Sequence, residues 1–151
     1  MIKINLGCGW RNFGKDWHHV DGGDYDHLDS RDIINLPFKD NSVDLIYASH
    51  VIEYFDRVEI IEVLNKWKSK LKSGGTLRLA VPNFKTMAKF LHPHPKFIFK
   101  ELLDEVGFHS MDYYLWQETE HGIFDDHSQA YIPHMDKENG TLISLNIEVK
   151  K

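Results

Sequence analysis

Three groups of residues in this chain have types and spacings that could do chemistry. The first is Gly7-Cys8-Gly9, which follows directly on the short apolar start Ile2-Lys3-Ile4-Asn5-Leu6. Glycine has no Cβ, so such a turn bends sharply and lets a ligand approach the backbone. In a parallel α/β sheet it lies at the carboxyl end of a central strand, where ligands bind. Asp21 is the second. An acid ending the next strand can accept hydrogen bonds from both hydroxyls of a ribose; the plainer reading is a turn aspartate before Gly22-Gly23. The third is Asp32 with Ile33, Ile34, Asn35, Leu36, Pro37 and Phe38. There an acid could accept from an adenine amino group while a neighbouring backbone N–H reads a ring nitrogen. Its plainer reading is a loop feeding a buried strand.

The glycine turn also constrains the ligand. A dinucleotide fingerprint needs a third glycine opening a helix, to seat a pyrophosphate at the helix N-terminus. Here the chain continues Trp10-Arg11-Asn12. A ligand without a diphosphate fits better, which disfavours a nicotinamide-dependent oxidoreductase.

Ten histidines invite a metal reading. His92-Pro93-His94 offers two ligands, with His121, His127 and His134 elsewhere, but the spacings match no structural zinc pattern. No metal is expected. His127 beside Asp125 and Asp126 is a candidate acid–base group, more simply read as a solvated loop. Tyr113, Tyr114 and Trp116 could line an acceptor site, although aromatics on a strand usually belong to a core.

The elements that must position these residues alternate. Residues 2–6 and 17–21 read as strands, joined by a connection too short for a full crossover helix. Asp32-Ile33-Ile34 reads as a short third strand. Residues 43–48 form a largely apolar run that suits a strand covered on both faces. Residues 56–71 read as an amphipathic helix, with Ile60, Ile61, Leu64, Trp67 and Leu71 on one stripe and Asp56 and Glu59 as a capping box. Ser73-Gly74-Gly75 stops that helix, and Thr76 to Val81 is the next strand. A helix runs from Pro95 to Gly107, Ser110 to Trp116 is a strand, and residues 142–149 alternate as the last strand. The polar stretch 117–140 reads as a long loop of functional or mobile kind. The pattern predicts a three-layer, Rossmann-like α/β fold, with a mostly parallel sheet, an antiparallel C-terminal edge and short or missing early helices.

Bulk properties agree. The 151 residues suffice for one domain, 1–151, with a real core. With 18 basic and 23 acidic residues the chain has no basic excess for a nucleic acid partner. No apolar run reaches the ~18 residues of a membrane span, and the start lacks the apolar core of a signal peptide. The single cysteine, Cys8, precludes an intramolecular disulfide and fits a reducing cytoplasm.

Taken together, Leu6-Gly7-Cys8-Gly9, Val20-Asp21, Asp32 before Leu36-Pro37-Phe38, Val43-Asp44-Leu45-Ile46, and Leu71 to Leu77 with Ser73-Gly74-Gly75 resemble the class I S-adenosylmethionine-dependent methyltransferases. The short type 11 subgroup, often encoded with polysaccharide-synthesis enzymes, is the most similar, over roughly residues 2–84. The resemblance implies that Asn5, Gly7, Cys8 and Gly9 wall the methionine end of S-adenosylmethionine. It implies that Asp21 holds the ribose, and Asp32 with the Ile33 backbone the adenine. Ser49 and His50 would lie near the methyl group, with His50 as the general base if one is needed. The product would be S-adenosylhomocysteine, and the acceptor a small molecule or saccharide precursor methylated on oxygen or nitrogen. Three departures stand out: Asn5 replaces an acid, the frequent Glu-His pair reads Glu53-Tyr54, and the usual Pro-Asp reads Pro82-Asn83. The segment from Asn83 to Pro95 leaves little room for a lid, so the pocket is expected to be shallow or completed by a second subunit in a homodimer. These departures also keep open a non-catalytic module that binds adenosylmethionine or adenosylhomocysteine.

Overall fold

A computed structural model of the chain describes residues 1–83, 99–124, 129–132 and 137–151. Its main sheet has six strands: β1 (Lys3–Leu6), β2 (His18–Val20), β3 (Val43–Ser49), β4 (Leu71–Pro82), β5 (His109–Tyr113) and β8 (Ser144–Lys150). Their order is β2-β1-β3-β4-β8-β5. The first four strands pair in parallel, while β8 runs antiparallel to both β4 and β5. The parallel sheet with an antiparallel C-terminal edge is therefore present. A two-stranded ribbon of β6 (Tyr131–Ile132) and β7 (Thr141–Leu142) gives part of the 117–140 stretch a structure of its own.

Two helices, α1 (Arg57–Lys70) and α2 (Phe99–Val106), are described. The Asp56 carboxylate caps α1 by accepting from Val58 and Glu59 N–H, while Glu59 accepts from Asp56 N–H, the reciprocal capping box. Ile60, Val63, Leu64 and Trp67 of α1 are buried with Leu103 and Val106 of α2 in one core. That core also holds Ile4, Leu6, Ile46, Ala48, Leu77, Leu79, Ile147 and Val149. Strand side chains alternate between faces, so these positions mark a single face of the sheet.

The register puts the intervening residues on the other face. Asn5 pairs with Tyr47, Tyr47 with Arg78, and Arg78 with Glu148; Ser49 pairs with Ala80, and Ala80 with Asn146. This face is covered by irregular chain. Phe13 and Trp17 cluster with Leu45, Tyr47 and Phe124, and His121 stacks on Tyr47 with ring centroids 4.0 Å apart. Arg78 ties the covering chain to the sheet through Glu120 at 2.7 Å and pairs with Glu148 of the adjoining β8 at 2.6 Å. Burial alone would raise the Glu120 carboxyl, but the Arg78 hydrogen bond prevails and holds it below its ordinary range.

Several boundaries differ from expectation for local reasons. Asp32-Ile33-Ile34 is not a strand. The Asp32 carboxylate accepts from the N–H groups of Ile34 and Asn35, an Asx turn that withholds those donors from a ladder. One bridge, Val20 to Ser30, is all that extends the sheet there. Strand β4 begins at Leu71 rather than Thr76, because residues 72–75 bulge between the Val43–Leu71 and Leu45–Thr76 pairs. Gly74, at φ +74°, makes that bulge possible. Strand β5 ends at Tyr113, and Trp116 opens a 3₁₀ turn instead. The expected start of the second helix at Pro95 lies outside the described residues, as do Asp125, Asp126 and His127. Among the described residues no helix is long and apolar enough to cross a membrane.

Candidate active site

The glycine turn is built where β1 ends. Gly7 N–H donates to Val20 O at 2.7 Å, drawing the turn against β2. Gly7 has φ +68°, and a Cβ there would lie 2.1 Å from the Val51 Cγ2 methyl, so only glycine fits. Gly9 also has a left-handed φ, of +56°. Asp21 clamps the turn from the next strand. Its Oδ2 accepts from Gly9 N–H at 2.8 Å and its Oδ1 from Gly23 N–H at 2.7 Å. Each oxygen keeps a second lone pair for a ligand hydroxyl. The plainer reading, a turn aspartate before Gly22-Gly23, is thus what the bonds show, and the carboxylate keeps acceptor capacity beyond it.

Beside the turn lies an open cleft lined by Asn5, Gly7, Cys8, Arg11, Phe13, Tyr47 and Ser49. Two buried polar atoms in its wall, Asn5 Nδ2 and Ser49 Oγ, have no hydrogen-bond partner among the described residues. An unmet buried polar group costs about 1–3 kcal/mol, so natural interiors rarely keep one without a use. The Cys8 thiol is pushed up to about 12 by burial, with the Asp21 charge adding to the effect. It stays a neutral thiol and contributes a wall rather than a nucleophile.

Not every expected residue lines this cleft. The Asp32 side chain is exposed and caps its own turn, where the Asn35 and Ile34 donors hold its carboxyl below the usual range. Ile33 offers its carbonyl to Trp67 Nε1 at 2.8 Å, which pins this turn to α1. His50 follows Ser49 but turns aside, at a left-handed φ of +52° that few non-glycine residues adopt. Its backbone N–H donates to Ala80 O at 2.8 Å. Its Nδ1 lies 3.0 Å from Glu53 Oε1, and its Nε2 lies 3.1 Å from Ser144 Oγ.

The arrangement adds residues with no motif of their own. Arg11 puts a cation at the cleft, and Phe13 and Tyr47 give it aromatic walls. His19 anchors this wall by accepting Phe13 N–H at Nε2, 2.8 Å away. Burial and the neighbouring His27 lower the His19 pKa, which favours the neutral ring that this bond requires. A cation and aromatics just after a glycine turn were the only sequence signal for Arg11 and Phe13. Tyr113 is exposed, and Tyr114 packs edge-on to His121, so neither touches the cleft lining. Among the described residues no three His, Cys, Asp or Glu side chains gather as a metal site; His92, His94, His127 and His134 lie outside them.

The comparisons with known proteins agree with this geometry. A type 11 methyltransferase domain family matches residues 6–79. No curated protein matches the chain. Among solved structures, the chain is similar to an S-adenosylmethionine-dependent methyltransferase from Archaeoglobus fulgidus, with 18% identity and a TM-score of 0.66 over 99% of this chain and 86% of that one. A possible histamine N-methyltransferase from Thermotoga maritima aligns at 16% identity and a TM-score of 0.64, over 99% and 81% of the two chains. Phosphoethanolamine N-methyltransferase 2 from Haemonchus contortus, solved with S-adenosyl-L-methionine, aligns at 15% identity and a TM-score of 0.54, over 75% and 34%. Residues 6–79 match the methyltransferase domain family, and the chain as a whole shares its fold with solved S-adenosylmethionine-dependent methyltransferases.

Proposed function

We propose that the chain binds S-adenosylmethionine at the glycine turn and methylates a small-molecule or saccharide acceptor by in-line displacement. The observation that carries this reading is the pairing of a glycine turn clamped by Asp21 with unpartnered Asn5 and Ser49 atoms in the adjoining wall. Bound there, S-adenosylmethionine supplies a methyl group on a cationic sulfur and needs no phosphate site. Asn5, Gly7, Cys8, Gly9 and Ser49 would surround its methionine part. The Arg11 guanidinium would meet its carboxylate, a pairing that planar donors favour. Asp21 would accept from the ribose hydroxyls, and the Asp32–Ile33 turn would border the adenine.

What these residues contribute is alignment. Holding the acceptor atom close to and in line with the methyl carbon can supply most of the rate. His50, next after Ser49, would be the group that takes a proton from the acceptor.

Calorimetric titration with S-adenosylhomocysteine tests the reading. Wild-type protein should bind it, and NAD should not bind. Asp21→Ala should weaken binding at least tenfold, since hydrogen bonds to a charged acceptor are worth about 1.5–3 kcal/mol each. Equal affinity in that variant would remove Asp21 from the ribose site. Binding without turnover of any acceptor would leave the chain a non-catalytic module.

A further inference from the structure

Glu53, His50 and Ser144 come from three separate places: the 3₁₀ turn Ile52–Tyr54, the end of β3 and the start of β8. They meet in one line. The ionised carboxylate of Glu53 can only accept, so the His50 nitrogen facing it at 3.0 Å carries the ring proton. In the neutral ring Nε2 is then the acceptor, and the Ser144 hydroxyl 3.1 Å away donates to it. The carboxylate therefore selects the tautomer, and a buried hydroxyl (Ser144 is 3% exposed) sits on the basic nitrogen. The left-handed backbone at His50 fits this picture, because such conformations persist where the surroundings fix them and cluster at working sites.

We propose that these three residues form one proton-handling unit for a hydroxyl acceptor. Glu53 and Ser144 act as positioning residues, His50 is the base, and the acceptor proton reaches Nε2 through the Ser144 hydroxyl. This rests on the methyltransferase reading above. The acceptor hydroxyl gives its proton to Ser144 Oγ as Ser144 passes its own to His50 Nε2. The acceptor oxygen forms the new bond to the methyl carbon, and the carbon–sulfur electron pair stays on sulfur. The positive charge that leaves the sulfonium donor reappears on the imidazolium, facing Glu53. An acceptor already deprotonated in solution would need none of this apparatus.

The test joins a spectrum with turnover. In ring-¹⁵N-labelled protein at alkaline pH, long-range proton–nitrogen correlations should show His50 with its proton on Nδ1, the signal being assigned by its loss in His50→Gln. Glu53→Ala should move that proton to Nε2, the form preferred by free imidazole side chains, whereas Glu53→Gln should keep it on Nδ1. S-adenosylhomocysteine affinity should stay within about twofold in both. With methyl glycosides as probes and the matching amino sugars as controls, Glu53→Ala should lower methyl transfer about 100-fold, in the range of general-base contributions. Ser144→Ala should lower it at least tenfold and Ser144→Thr restore most of it, with thermal melts confirming that each variant folds. An Nε2–H ring in the wild type, or full turnover in Glu53→Ala, would overturn the unit. Turnover of amino sugars alone, or of neither class, would overturn the hydroxyl assignment. Failure of the wild type to bind S-adenosylhomocysteine would instead sink the underlying reading.

Discussion

The two faces of the sheet are made differently. The helix face is an apolar layer in which Trp67, Leu64, Ile46, Leu77 and Ile147 are fully or nearly fully buried against α1 and α2. Its chemistry is saturated, since the Trp67 indole N–H ends on the Ile33 carbonyl. On the loop face, equally buried positions carry Asn5, His121 and Asn146, with the Arg78 ion pairs beside them. Several polar atoms there have no partner among the described residues: Asn5 Nδ2, Ser49 Oγ and both His121 ring nitrogens. One face supplies stability; on the proposed reading, the other gives up some of it to keep groups ready for a ligand. The covering differs accordingly, with regular helices over the saturated face and irregular chain over the ready one.

Breaking the helix face should have the largest effect. Trp67→Ala removes a fully buried indole and its hydrogen bond, and should destabilise the fold by about 3–5 kcal/mol in a denaturant titration. A loss below about 1 kcal/mol would mean that the core does not depend on this layer.

The next effect belongs to the loop face and to pH. Burial, with the nearby Arg78 charge, lowers the His121 pKa from 6.5 to about 4. The unfolded chain takes up this proton more readily than the fold does. Stability from the neutral ring is therefore fully present above pH 6.5 and is lost as the pH falls from 6.5 towards about 4. The loss should reach roughly 3 kcal/mol, at 1.36 kcal/mol per unit of pKa. His121→Phe should flatten that part of the stability–pH curve. An equally steep curve in the variant would assign the slope to other groups.

The smallest effect sharpens the comparison most, because its sign reverses. Ser49→Ala deletes a buried hydroxyl without a partner and should raise unliganded stability by about 1 kcal/mol. The same change should weaken S-adenosylhomocysteine binding. Lower stability in the variant would show that Ser49 serves the fold rather than the cleft.

What could be read from the residue string follows from the range of each signal. The glycine turn, the Asp56–Glu59 capping box and the alternation of β8 are short patterns whose partners lie within a few residues. The turn and the box lie where expected, and the last strand starts at Ser144 rather than Leu142, which pairs in β7 instead. The misplaced boundaries were local contests between rival uses of the same groups. Asp32 withheld two N–H donors from a strand, and Gly74 turned an expected helix stop into a bulge. The loop face was not legible, because its character depends on register. Nothing near Tyr47 announces that Asn5 and Arg78 flank it, or that His121 stacks on it. Likewise Glu53 read only as half of a displaced motif until the backbone turn at His50 brought the ring to it.

The separation of these contacts along the chain also sets an order of assembly. The glycine turn and its Asp21 clamp lie twelve residues apart, a span that closes within about 10–100 ns. His50 and Ser144 are 94 residues apart and cannot meet until β8 has inserted beside β4. Non-local pairing of that kind is the slow part of folding. A chain emerging from synthesis would close the glycine turn on Asp21 long before His50 reaches Ser144, so the contact proposed to handle a proton would be the last to form.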